Sequence, residues 1–95
     1  ELLDLAEDLL NDFREEVVIN TIKILQKRNE DKIIKCISRA ATYGSDKIVE
    51  IALIALGTIG TSQSVLELSN LSRELVNKNY KDIAQKQITH QYLNN

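Results

Sequence analysis

Sliding the chain against itself by 31 residues lays one apolar pattern on another, and this register limits the possible folds more than any other feature. Leu2, Leu3, Leu5, Ala6, Leu9 and Leu10 fall on Ile33, Ile34, Cys36, Ile37, Ala40 and Ala41, apolar onto apolar at every position. The same shift carries Val17, Val18, Ile22, Ile24 and Leu25 onto Ile48, Val49, Leu53, Ala55 and Leu56. A second shift of 31 takes Ile34, Ile37 and Ala40 to Val65, Leu68 and Leu71, and a shift of 32 takes Ile51, Ala52 and Leu56 to Ile83, Ala84 and Ile88.

Within each stripe the spacing is i, i+3, i+4, i+7, the period of a one-sided α-helix. Polar breaks at Asn11–Asp12, Asn29–Asp31, Gly44–Asp46, Gly60–Ser62 and Asn77–Asn79 separate six such stripes. The last comprises Tyr80, Ala84 and Ile88, with Tyr92 at its end. The chain has no Pro, so the strongest helix breaker is missing throughout. Ser45 or Asp46 is placed to cap the fourth helix, and Gly57 and Gly60 are spaced as helix-end glycines. No segment alternates as a strand would. The expected fold is all-α, with two helices per unit and three units at about 1–29, 30–60 and 61–95 in one domain. The chain begins Glu1-Leu2-Leu3-Asp4, without an initiator Met, and reads as a fragment of a longer protein. The competing architecture is an unrelated six-helix bundle whose register is accidental.

Leu (13) and Ile (12) supply more than half of the apolar side chains, so the core is aliphatic. The net charge is −2, running from −3 in the first unit through zero to +1 in the third. That balance argues against a nucleic-acid interface, which needs a basic stripe to neutralise phosphates. No apolar run approaches the ~20 residues of a membrane span. A lone cysteine excludes an intrachain disulfide and, with no signal peptide in the sequence, fits a cytoplasmic location.

No catalytic constellation stands out. The single His90 and single Cys36 lie 54 residues apart, which is not metal-ligand spacing. Asp4, Glu7 and Asp8, and Glu15 with Glu16, read as solvated acidic faces. Cys36 aligns with Leu5 and reads as a small core hydrophobe, with Lys35 and Arg39 as the only hint of thiol reactivity. The expectation is a non-enzyme with no catalytic residues, no cofactor and no metal.

The segment Asp46-Lys47-Ile48-Val49-Glu50-Ile51-Ala52-Leu53-Ile54-Ala55-Leu56-Gly57-Thr58-Ile59-Gly60 resembles the second helix of a HEAT-like repeat. It has the acidic turn, the Val, a small residue three positions on, then Ala-Leu-Gly and Ile-Gly. Leu2 to Asp12 is similar to the first helix and its turn. Armadillo-type repeats are near competitors. Ile19, Glu50 and Asp82 stand where HEAT-like repeats often carry Arg or Lys, so the inner surface departs from the family's usual one. Gln85, Gln87 and Gln91 make the final helix polar, as a terminal cap requires.

The resemblance implies a right-handed α-solenoid whose second helices line a concave binding face. Carried over by the shift, that face holds Glu16, Asn20, Lys23 and Lys27, then Lys47, Ile51, Ile54 and Thr58, then Asn79, Ile83, Lys86 and His90. Ile51, Ile54 and Ile83 are unusual on a solvated face. They either pack against neighbouring second helices or form an apolar strip for a partner. The implied function is a protein–protein scaffold whose partner is another protein, with no nucleic acid and no membrane span. A bilin-lyase-type enzyme subunit is the alternative within the same fold. Self-association through the end helices is the third reading.

Overall fold

The computed structural model describes residues 2–12, 14–28, 30–75 and 77–94, and for residues 2–4 and 92–94 the backbone only. The described residues form six α-helices: α1 Leu2–Leu10, α2 Glu15–Leu25, α3 Asp31–Tyr43, α4 Asp46–Ile59, α5 Ser62–Glu74 and α6 Lys78–Asn94. No strand occurs among the described residues. No helix is long and apolar enough to cross a membrane. Leu2, Leu3, Asp4 and Tyr92, assigned by their sequence spacing to apolar stripes and an acidic turn, have side chains outside the described residues, as does the whole of Asn29.

Local polar contacts mark the starts of α2, α5 and α6. Before α2, the Asp12 carboxylate accepts from the Arg14 backbone N–H at 2.8 Å and from the Arg14 guanidinium at 3.0 Å. That contact holds the Asp12 carboxyl below its ordinary value. Glu15 and Glu16 then sit in the first turn, where acids favour the helix dipole. Thr61 caps α5 by accepting from the Ser64 N–H at 3.2 Å. Asn77 accepts from the Asn79 N–H at 2.8 Å before α6. Gly60 ends α4 at φ +67, a left-handed value that glycine adopts without strain.

The expected N-cap of α4 holds in position but not in its side-chain contact, and the expected role of Gly57 changes. Ser45 stands at the N-cap position of α4, yet its hydroxyl does not cap the helix. It donates instead to Glu15 Oε2 at 2.5 Å, tying the α3–α4 turn to the start of α2. Gly57 is not a helix end but a buried position inside α4. A Cβ there would lie 2.9 Å from the Gln87 Cβ, so the missing side chain is what lets α6 come close.

The packing follows sequence order. α3 and α4 form the centre. α1 meets α2 and α3, α5 meets α3, α4 and α6, and α4 lies between α2 and α6. Among the described residues α1 has no substantial contact with α5, nor α2 with α6. The helices thus form an odd row, α1–α3–α5, and an even row, α2–α4–α6. The Cα extents are 34 × 26 × 17 Å. The shortest fits two helix layers with axes ~8–10 Å apart.

The buried residues keep the repeat spacing. Ala6, Ile37 and Leu68 are buried at successive steps of 31, as are Val18 and Val49, and Ile22 and Leu53. Ala52 and Leu56 recur as buried Ala84 and Ile88 at a step of 32. The buried Ile33 recurs as Ser64, whose hydroxyl donates to the Thr61 carbonyl at 2.9 Å. A polar group can occupy this core position because its hydrogen bond is made locally.

Two of the α6 glutamines cover α4, whereas Gln85 is exposed. Gln87 lies against Gly57 and Gln91 against Gly60, and the Gln91 amide donates to the Gly57 carbonyl. At the opposite end of α4, the Tyr80 hydroxyl donates to Asp46. The polar helix is therefore fitted to the α4 surface rather than simply facing water.

Candidate functional site

The residues expected to form one face line two surface depressions or lie outside both. Lys23, Ile51 and Ile54 meet across a surface groove of about 590 Å³ between α2 and α4, joined there by Ile24, Gln26, Lys27 and Thr58. Ile83 and Lys86 line a separate, shallow depression on α6 with Asp82, Gln85, Thr89 and His90. Glu16 and Lys47 in the first turns of α2 and α4, and Asn20 in the second turn of α2, are exposed and outside either lining. Asn79 is exposed in the first turn of α6, not in the break where the sequence placed it.

Packing explains why the three isoleucines differ. Ile51 and Ile83 are half-buried and pack against the core, so part of each side chain serves the interior. Ile54 points outward and is 43% exposed. Beside it Ile24 is 67% exposed, although the sequence pattern placed it in the buried stripe of the second helix. The core-facing line of α2 runs through Val18, Thr21, Ile22 and Leu25. Ile24 lies four residues after Asn20 and three before Lys27, on the polar face. Its alignment with Ala55 concealed this, because Ala55 is fully buried. The groove therefore has an apolar floor of Ile24, Ile51 and Ile54, and Lys23 and Lys27 carry its charge. Among the described residues no acid lines it.

A second groove, of about 550 Å³, lies among the end of α1, the start of α2, α3 and the α3–α4 turn. Sequence reasoning missed it, because it joins segments that share no motif. Leu10, Val18, Ala40 and Ile48 supply its apolar surface, while Glu7, Asp12, Glu15 and Arg39 supply its charge. Tyr43 stands at its edge, strongly exposed.

Cys36 opens into this groove, half-buried, and is not the core hydrophobe its alignment implied. Leu5, its repeat equivalent, is itself exposed. The Cys36 Sγ lies 4.0 Å from Glu7 Oε1, to which the thiol donates. Burial pushes the thiol pKa up, Glu7 pushes it further, and Arg39 opposes them without prevailing. A nucleophilic thiolate needs the reverse balance.

Elsewhere polar contacts bridge successive helices of a row. The Ser38 hydroxyl donates to Glu67 at 3.0 Å between α3 and α5, and Gln63 donates to the other Glu67 oxygen at 3.3 Å. Among the described residues no group of three or more His, Cys, Asp or Glu side chains could hold a metal ion. No protein-family model, curated protein or solved structure matches this chain.

Proposed function

We propose that the chain is a protein–protein interaction module, a short right-handed α-solenoid of three HEAT-like hairpins that binds without any covalent step. The ordered packing of the odd and even helix rows supports the repeat reading, as does the recurrence of buried residues at steps of 31 and 32. The binding reading is carried by one observation. Ile24 and Ile54, 67% and 43% exposed, stand together at a groove that Ile51 also lines. Two large aliphatic side chains at one exposed groove are what a partner would cover.

A photo-crosslinking residue placed at Ile54 in the full-length protein tests this, with Lys32, exposed on α3, as the control position. The expected result is an adduct with a different protein from position 54 alone, lost when Ile24→Asp is added. Ile24 is exposed, so that substitution leaves thermal unfolding nearly unchanged. Equal adducts from both positions, or none from either, overturn the proposal. An adduct made of two copies of this chain supports self-association instead.

A further inference from the structure

The groove between α2 and α4 differs in charge from the molecule that carries it. The chain has a net charge of −2, and its other large groove is lined by Glu7, Asp12 and Glu15 against one Arg. Among the described residues the α2–α4 groove has Lys23 and Lys27 and no acid. Its shape is equally specific. Ile51, Ile54 and Thr58 follow one another along α4 over seven residues, about 10 Å or two helical turns. Ile24 faces them from α2.

We propose that the occupant of this groove is an amphipathic helix of another protein, with an apolar stripe about two turns long and acidic flanks. The proposal rests on the protein-binding reading above and adds the chemistry of the partner. An apolar stripe spaced i, i+3 or i+4, i+7 matches the length of the floor and covers Ile24 and Ile54. Acids beside the stripe meet Lys23 and Lys27, which select orientation and speed encounter more than they add affinity. A basic helix of the same shape is repelled by both lysines. A nucleic acid gains nothing from the isoleucines, and two lysines neutralise few phosphates.

The test is fluorescence anisotropy with two labelled synthetic peptides and the full chain. Both peptides carry Leu at helical spacing; one has Glu flanks and the other Lys flanks. The Glu-flanked peptide is expected to bind, and more weakly as salt is added. The double variant Lys23→Glu/Lys27→Glu is expected to lose at least about tenfold in affinity for it and to gain the Lys-flanked peptide. Ile54→Asp loses the Glu-flanked peptide, while circular dichroism shows that the variant remains folded. Equal binding of the two peptides, no binding of either, or unchanged binding to the double variant overturns the proposal. Co-sedimentation with phosphatidylserine vesicles that persists in Ile54→Asp also overturns it, because a membrane would then be reading the lysines alone. If crosslinking from position 54 captures a protein through a segment that is not an acidic helix, the protein-binding reading stands and this one falls.

Discussion

Cys36 and Tyr80 show how a neighbouring carboxylate sets what a side chain can do. Burial first, and then Glu7, which accepts from the Cys36 thiol, keep that thiol protonated against the pull of Arg39. Alkylation by iodoacetamide near neutral pH should therefore be slower in the folded chain than in urea. Glu7→Gln should speed it in the folded chain and leave the urea rate unchanged. A folded rate insensitive to Glu7→Gln would show that burial alone protects the thiol. Tyr80 donates to Asp46 from α6 to α4, and that hydrogen bond, ahead of desolvation and the charges of Asp46 and Glu50, raises its pKa from 10.0 to about 12. The folded state holds this proton more tightly than the unfolded state. The stabilisation is thus complete below pH 10 and is lost as pH rises through 12. Denaturant melts of the chain and of Tyr80→Phe should differ below pH 10 and converge towards pH 12. A constant difference across that interval would break the link. Neither contact was legible in the sequence. Glu7 and Cys36 lie 29 residues apart and Asp46 and Tyr80 lie 34 apart, so only the packing brings each pair together.

The helices themselves were legible because apolar spacing and polar breaks are local signals. The breaks at Asn11–Asp12, Gly44–Asp46 and Gly60–Ser62 fall within a residue or two of the observed ends, since each contains groups that compete with helical hydrogen bonds. The last break was misplaced. α5 ends at Glu74 and α6 begins at Lys78, so Asn79 is helical while the Asn77 carboxamide holds the turn. The candidate site was legible only in part. Ile51 and Ile54 stood out as apolar residues on a polar face, whereas Ile24 was hidden because a repeat alignment averages positions that packing treats differently. α4 lies between α2 and α6 and also packs on α3 and α5, so its core side chains should dominate stability. Leu53→Ala, at a fully buried position, should cost about 2–5 kcal/mol, whereas Leu66→Ala, at an exposed position on α5, should stay within about 0.5 kcal/mol. Urea melts of the two variants measure both values. Equal losses would mean that α4 is not the hub its contacts indicate.

At the scale of the whole molecule, a radius of gyration of 12.2 Å is that of an ordinary compact domain, for which about 12–13 Å is expected at this length. Three hairpins are too few to elongate, so size alone does not separate a repeat stack from a closed bundle. Connectivity would separate them. In a stack each hairpin touches only its neighbours, and stability grows with every added interface. In a closed bundle the first and last helices meet, and an inserted hairpin has nowhere to go. Here α1 has no substantial contact with α5, nor α2 with α6, among the described residues. A second copy of residues 30–60 inserted after Gly60 should therefore be accepted. It would follow the left-handed Gly60 turn just as Thr61 does now, with Asp31 entering where Ser62 begins α5. The inserted α4 copy would repeat the apolar face, including Ala52, Leu53 and Leu56, that the native α4 already buries. The longer chain should unfold in one cooperative transition at a higher Tm than the parent, with helical ellipticity per residue preserved. A lower Tm, or a broad transition with lost ellipticity, would show that the six helices close on themselves and that the 31-residue register does not specify a stack.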